Sequence, residues 1–186
     1  MERKKRMTKN LISDSLKTLM NKRPFDKITI KMITDEAGVI RPTFYNYFCD
    51  KYEVLEWIFS EEIIESVKEM FRENMYQEGM KLLFTRMKND SVFYRKAFAV
   101  EGQNSFKTIV KKYLTEAFEE AFSSNGQFAG DTDSGAVSRK LAASFYAVAL
   151  EDFLYEWMCG DMQKYDADEM LNAFGYLMTH SFKDYM

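Results

Sequence analysis

The chain has 186 residues, a formal net charge of −3, 46% hydrophobic residues, 2 Pro and 8 Gly. That length holds one domain with a sizeable core or a small domain beside a medium one, and that apolar content excludes a disordered chain. Few breakers, little β-branched alternation and much Lys, Glu, Met, Leu and Ala predict an all-α protein. No apolar run approaches the roughly 18 residues of a membrane span.

The basic start, MERKKRM, is not followed by the apolar stretch of a secretory signal. Cys49 and Cys159 stand far apart without metal-type partners, as expected of reduced thiols in a cytoplasmic protein. The charge is uneven: residues 1–55 carry 12 Lys/Arg against 7 Asp/Glu, whereas 56–186 carry 14 against 22. A basic front on an acidic body suits a protein that meets nucleic acid at one end.

The first helix is predicted from about Thr8 to Lys22, with Ile12, Leu16 and Leu19 on one face and Arg23-Pro24 as its stop. Arg3, Lys4, Lys5 and Arg6 precede it as an N-terminal arm suited to a phosphate ribbon or a minor groove. Thr29 is a natural N-cap for a second helix whose inner face is Ile30, Ile33 and Ala37. Gly38 follows, where a positive φ costs little. A third helix runs from about Arg41 to Phe48, with Pro42 in its first turn, Phe44 and Phe48 inward, and Tyr45, Asn46 and Tyr47 largely outward.

Asp50-Lys51-Tyr52-Glu53 reads as a capping box that opens a long helix to about Met75. Gly79 breaks the pattern, and a short helix over Leu82, Leu83, Phe84 and Met87 follows. Further helices cover about Ser91–Ala99, Ser105–Ser123 and Ala136–Cys159, with a glycine-rich loop from Ser123 to Gly135. Gly160 stops the helix ending at Cys159, and a second capping box, Asp166 to Glu169, opens the last.

A short second helix that carries hydrogen-bonding groups after a glycine turn suits a DNA major groove. Arg41 stands at its entering end, where a guanidinium can donate twice to guanine. Thr43, Tyr45 and Tyr47 offer hydroxyls to phosphate, and Pro42 and Asn46 share the same short helix. Lys51 at the next helix start and Lys31 on the second helix suit phosphate.

Residues 29–51 resemble the DNA-binding signature of TetR-type (TetR/AcrR) transcriptional regulators, through Ala37-Gly38-Val39, Thr43-Phe44-Tyr45, Tyr47-Phe48 and Asp50-Lys51. The similarity covers about residues 6–66, and Pro42-Thr43 is similar to the tetracycline-repressor subgroup. Ile40 departs from it, standing where many relatives have Ser or Glu, and Tyr47 replaces a commoner His. The resemblance implies an N-terminal three-helix helix-turn-helix domain (1–50, motif 29–48), a connecting helix (51–76) and a C-terminal helical ligand and dimerisation domain (77–186). It further implies a homodimer through the last two helices, bound to a palindromic operator on double-stranded DNA. Such a regulator is expected to be a bacterial repressor under effector control.

The C-terminal part is rich in Phe, Tyr and Met. Phe71, Met75, Phe84, Met87, Phe98, Phe106, Tyr113, Phe118, Phe145, Tyr146 and Phe153 are candidates to line a pocket for a small apolar or aromatic effector, with ordinary core as the competing reading. The segment Glu101–Phe106 and Trp157-Met158-Cys159-Gly160 resemble Firmicutes TetR-type regulators related to the dihydroxyacetone kinase operon activator. That resemblance implies the alternative of an activator controlled by a partner protein. An enzyme is not expected, because His180 is the single histidine and no phosphate loop, zinc motif or nucleophile elbow occurs; no cofactor or metal is implied. The remaining alternative is an interaction protein that has lost specific DNA binding.

Overall fold

The computed structural model describes residues 2–124, 138–180 and 182–186. The glycine-rich loop expected from 123 to 135 lies, beyond Ser124, outside the described residues. Among those described the chain is helical throughout, with no strand.

The head consists of α1 (Glu2–Lys22), a 3₁₀ turn (Phe25–Lys27), α2 (Ile30–Ala37) and α3 (Arg41–Tyr45). Ile12, Leu16, Leu19 and Met20 of α1 meet Phe25, Ile28, Ile33, Phe44 and Phe48 in one buried cluster. The spacing 12-16-19 thus does what a helical stripe requires. α1 begins at Glu2, two turns earlier than expected, so the basic N-terminal residues are a helical extension and not an extended arm. Lys, Arg and Met favour helix and no Gly or Pro interrupts them. Thr8 is interior, its Oγ1 donating to Lys4 O at 3.2 Å, and Arg6 pairs with Glu61 of the body.

The connecting helix is interrupted. α4 (Lys51–Phe59) passes through a π-helical turn (Ser60–Ile64) into α5 (Glu65–Arg72). The extra residue of the π turn keeps Ile63, Ile64 and Val67 all buried. α5 ends near Asn74, which takes a φ of 60°.

The body adds α6 (Tyr76–Asn89), α7 (Ser91–Phe98), α8 (Phe106–Ser124), α9 (Arg139–Cys159) and α10 (Ala167–Thr179), with 3₁₀ turns at Asp161–Lys164 and Phe182–Tyr185. α9 packs most extensively against α8, and α6 lies between α5 and α10. Gly79 does not break a helix; it sits inside α6. A Cβ there would fall 2.7 Å from the Phe71 ring, so glycine permits the close α5–α6 approach. The Asp166–Glu169 capping box forms as expected: Glu169 N donates to Asp166 and Asp166 N donates to Glu169, both at 2.8 Å.

Head and body are tied by more than α4. Lys17 of α1 donates to Glu62 in the π turn at 2.9 and 3.0 Å and pairs with Asp90 at the start of α7. Burial lowers the Lys17 pKa, but its bonds to Asp90 and Glu62 outweigh that and the net shift is upward. Tyr94 stands beside the same carboxylate, and burial first, then Glu62 and Asp90, hold its phenol well above the usual tyrosine range. From α7, Lys96 Nζ donates to Met20 O at 2.8 Å and Asn21 O at 2.9 Å, capping the end of α1.

Candidate nucleic-acid interface

The turn between α2 and α3 is built locally. The Thr29 hydroxyl accepts from Met32 N at 3.2 Å, which fixes the start of α2. Gly38 adopts φ 65°, ψ 29°, a left-handed conformation that ends α2 where a side chain would be strained. Pro42 lies in the first turn of α3, where its missing N–H costs nothing. Phe44 and Phe48 anchor the short helix from below, both buried, their ring centroids 5.9 Å apart.

That anchoring sets which side chains remain outside. Arg41, Pro42, Tyr45 and Asn46 are exposed. The Arg41 Nη2 donates to Tyr45 Oη at 3.3 Å, so the two act as one polar unit at the entering end. Thr43 and Tyr47 are half-buried, and Tyr47 packs against the core. Lys31 is exposed and paired with Asp35 four residues on. Ile40, 69% exposed, caps α3 without a side-chain bond. Its sequence signal is an apolar residue where a polar cap is usual.

Lys51 behaves differently from the expectation of a free phosphate ligand. Its Nζ turns inward and donates to Phe25 O at 2.8 Å and Ile28 O at 3.0 Å, 4.4 Å from the Phe25 ring. It therefore clasps the 3₁₀ turn ahead of α2 to the start of α4, and burial lowers its pKa. The Asp50 carboxylate accepts from Tyr52 N and Glu53 N at 2.8 and 2.9 Å. Glu53 reaches back to Cys49 N and not to the cap's own N–H, a displaced form of the expected box. Lys9, which the sequence did not single out, lies 3.9 Å from the Trp57 ring centroid and covers the α1–α4 seam.

Residues 12–58 match the family model described as "Bacterial regulatory proteins, tetR family", and residues 73–180 match "Transcriptional regulator C-terminal region". The chain belongs to the TetR family. It is a DNA-binding transcriptional regulator. One relative is the HTH-type dhaKLM operon transcriptional activator DhaS of Lactococcus lactis, 24% identical over 150 residues that span 80% of each chain. A solved structure of the dihydroxyacetone kinase operon activator DhaS superposes with a TM-score of 0.68, at 20% identity, over 92% of this chain and 93% of that one. A TetR-family structure from Syntrophomonas wolfei gives 0.69 at 17% identity over 92% and 93%. Thermus thermophilus FadR in complex with lauroyl-CoA gives 0.64 at 17% over 91% and 92%.

Within this TetR-family regulator the eleven aromatic and Met candidates do not line one cavity. Phe71, Phe84, Met87, Phe98 and Phe106 are buried, and Tyr113 and Phe153 are half-buried against the same cluster. Met75 is exposed beside the α5–α6 break, and Phe145 is 65% exposed on α9. Tyr146 and Phe118 line a groove of about 780 Å³ between α6, α8, α9 and α10, joined there by Tyr76, Met80, Phe174 and Met178. Close packing of large rings fills the middle of the body, as it does in most cores. Among the described residues no helix is long and apolar enough to cross a membrane.

Proposed function

We propose that the regulator binds a palindromic operator as a homodimer, acts as a repressor, and is released by an effector held in its helical body. The observation that carries this reading is the outer face of α3, where Arg41, Pro42, Tyr45 and Asn46 stand exposed on a helix pinned by buried Phe44 and Phe48. Thr43 and Tyr47 flank the same face. Lys31 reaches phosphate once Asp35 releases it, and Lys51 contributes through the clasp that sets α4 under the motif. The division is a DNA-binding domain over 1–50, a connecting segment over 51–76 and a regulatory domain over 77–186, in a cytoplasmic, non-catalytic protein.

An exposed apolar strip supports the dimer: Leu141, Phe145 and Val148 on α9, with Tyr176 and Leu177 on α10. Two helices from each copy close a four-helix interface across a two-fold axis. That places the two α3 helices ~34–36 Å apart or a multiple of it. The groove lined by Phe118, Tyr146 and Phe174 is where an apolar effector fits, and FadR's lauroyl-CoA complex supplies a precedent in a similar fold. Effector binding then shifts the population of head spacings.

Similarity to DhaS, a named activator, favours a second reading: activation, with a partner protein in place of the small effector. A gel-shift titration against the gene's own upstream region tests DNA recognition. Arg41→Ala is expected to relax one base position by about 1–3 kcal/mol. Identical affinity and sequence preference in the variant would remove α3 from the interface.

A further inference from the structure

A second groove, of about 600 Å³, opens between the end of α7, the 99–105 loop, the first turn of α8 and the end of α9. That volume is in the range of small-molecule sites. Tyr155 supplies aromatic surface, and the buried Phe98 ring packs edge-to-face against it with centroids 5.8 Å apart. Three charged side chains line it: Arg95, Lys107 and Glu101. The Lys107 ammonium lies 3.1 Å from the Tyr155 ring centroid; among the described residues it makes no ion pair, and its charge acts on the carboxylate of Glu151. Arg95 spends one N–H on Gln163 Oε1 at 3.1 Å and, among the described residues, makes no ion pair. Burial raises the pKa of the Cys159 thiol in this groove; Lys107 and Arg95 oppose that rise and Glu156 adds to it, so two positive fields and one weaker negative one meet there.

The helix that carries Arg95 also holds the head. Lys96, the next residue, caps α1 through Met20 O and Asn21 O, and Asp90 at the start of α7 pairs with Lys17. α7 thus presents one side to the groove and ties another to α1.

We propose that this groove binds a small organic anion, a carboxylate or phosphate monoester on an aromatic or acyl body, held by Arg95 and Lys107 beside Tyr155, and that occupancy reaches the head through α7. The side chains that line it carry two positive charges against one, with Glu151 and Glu156 farther out, which suits a monoanion, and the groove is distinct from the apolar groove of α6 and α10. The binding claim stands without the operator reading; the coupling claim rests on it.

The full chain is titrated by calorimetry with phenyl phosphate, benzoate and benzyl alcohol. Saturable binding of one anion is expected, with the preferred anion identifying phosphate or carboxylate, and the neutral alcohol about tenfold weaker or absent. Arg95→Gln and Lys107→Gln should each weaken the anion about tenfold while leaving melting temperature and ligand-free operator binding unchanged. Among the described residues Lys107 makes no hydrogen bond, so its variant keeps the test open if Arg95→Gln destabilises. No saturable binding of either anion, equal binding of the alcohol, or unchanged affinity in both variants overturns the site. The saturating anion should also shift the operator Kd in the wild type and not in Lys96→Met, which binds the anion normally; equal shifts in both overturn the route through α7. Anion binding is read without DNA, so a failure to bind any operator refutes the regulatory reading alone.

Discussion

Lys51→Met would separate two roles for one side chain. The ammonium donates to Phe25 O at 2.8 Å and Ile28 O at 3.0 Å, so the variant removes two charge-assisted bonds and leaves two carbonyls without that donor. Such bonds are worth about 1.5–3 kcal/mol each when fully buried. Lys51 is only half-buried and water can replace part of the loss, so about 2 kcal/mol is expected for the pair. For a chain of this size that lowers the melting temperature by roughly 4–8 °C. Thermal unfolding followed by circular dichroism measures it without DNA. The same variant, assayed on the operator well below its melting point, should lose affinity alike at every sequence. An unchanged melting temperature with a salt slope reduced by about one phosphate contact would refute the clasp and return Lys51 to the DNA backbone.

Gly79→Ala discriminates packing from propensity. Alanine gains about 1 kcal/mol in a helix interior, but its Cβ would meet the Phe71 ring at 2.7 Å, so a net loss of about 1–3 kcal/mol is expected in chemical denaturation; a gain would mean the α5–α6 contact is loose. Glu151 is half-buried on α9 with Oε1 unbonded, and burial raises its pKa. A raised folded pKa means the carboxylate is penalised above it and not below the unfolded value, so Glu151→Gln should stabilise by less than about 1 kcal/mol at pH 7 and not at pH 4. Melting curves at both pH values check the sign, and equal shifts at both would contradict it. Phe145→Asp, on the most exposed ring of α9, should convert a dimer to monomer in sedimentation without lowering helix content; a persisting dimer would move the interface elsewhere.

The helix-turn-helix was legible because each of its devices is local. Thr29 caps, Gly38 turns, Pro42 starts and Phe44 with Phe48 anchor within one short window, and the structure places each as its chemistry requires. What the sequence hid depends on distant partners. The π turn is one extra residue that periodicity does not register, and it makes sense only when Glu62 is seen on Lys17. Gly79 reads as a breaker until Phe71 is beside it. Lys51 reads as a phosphate ligand until two carbonyls from a turn over twenty residues earlier are seen to accept its hydrogen bonds. The aromatic-rich body stayed open between two readings for the same reason: ring spacing along a helix does not distinguish a core from a cavity, and Phe84 and Phe106 are buried whereas Phe118 and Tyr146 line a groove.

In the proposed regulator two copies of this chain read DNA through α3. Selection from random duplexes with the full-length protein tests it most directly. A two-fold symmetric motif is expected, its half-sites about 10 bp or a multiple apart, with Arg41→Ala relaxing one symmetry-related pair of positions. Enrichment of no motif, or of an asymmetric motif that Arg41→Ala leaves unchanged, would contradict it.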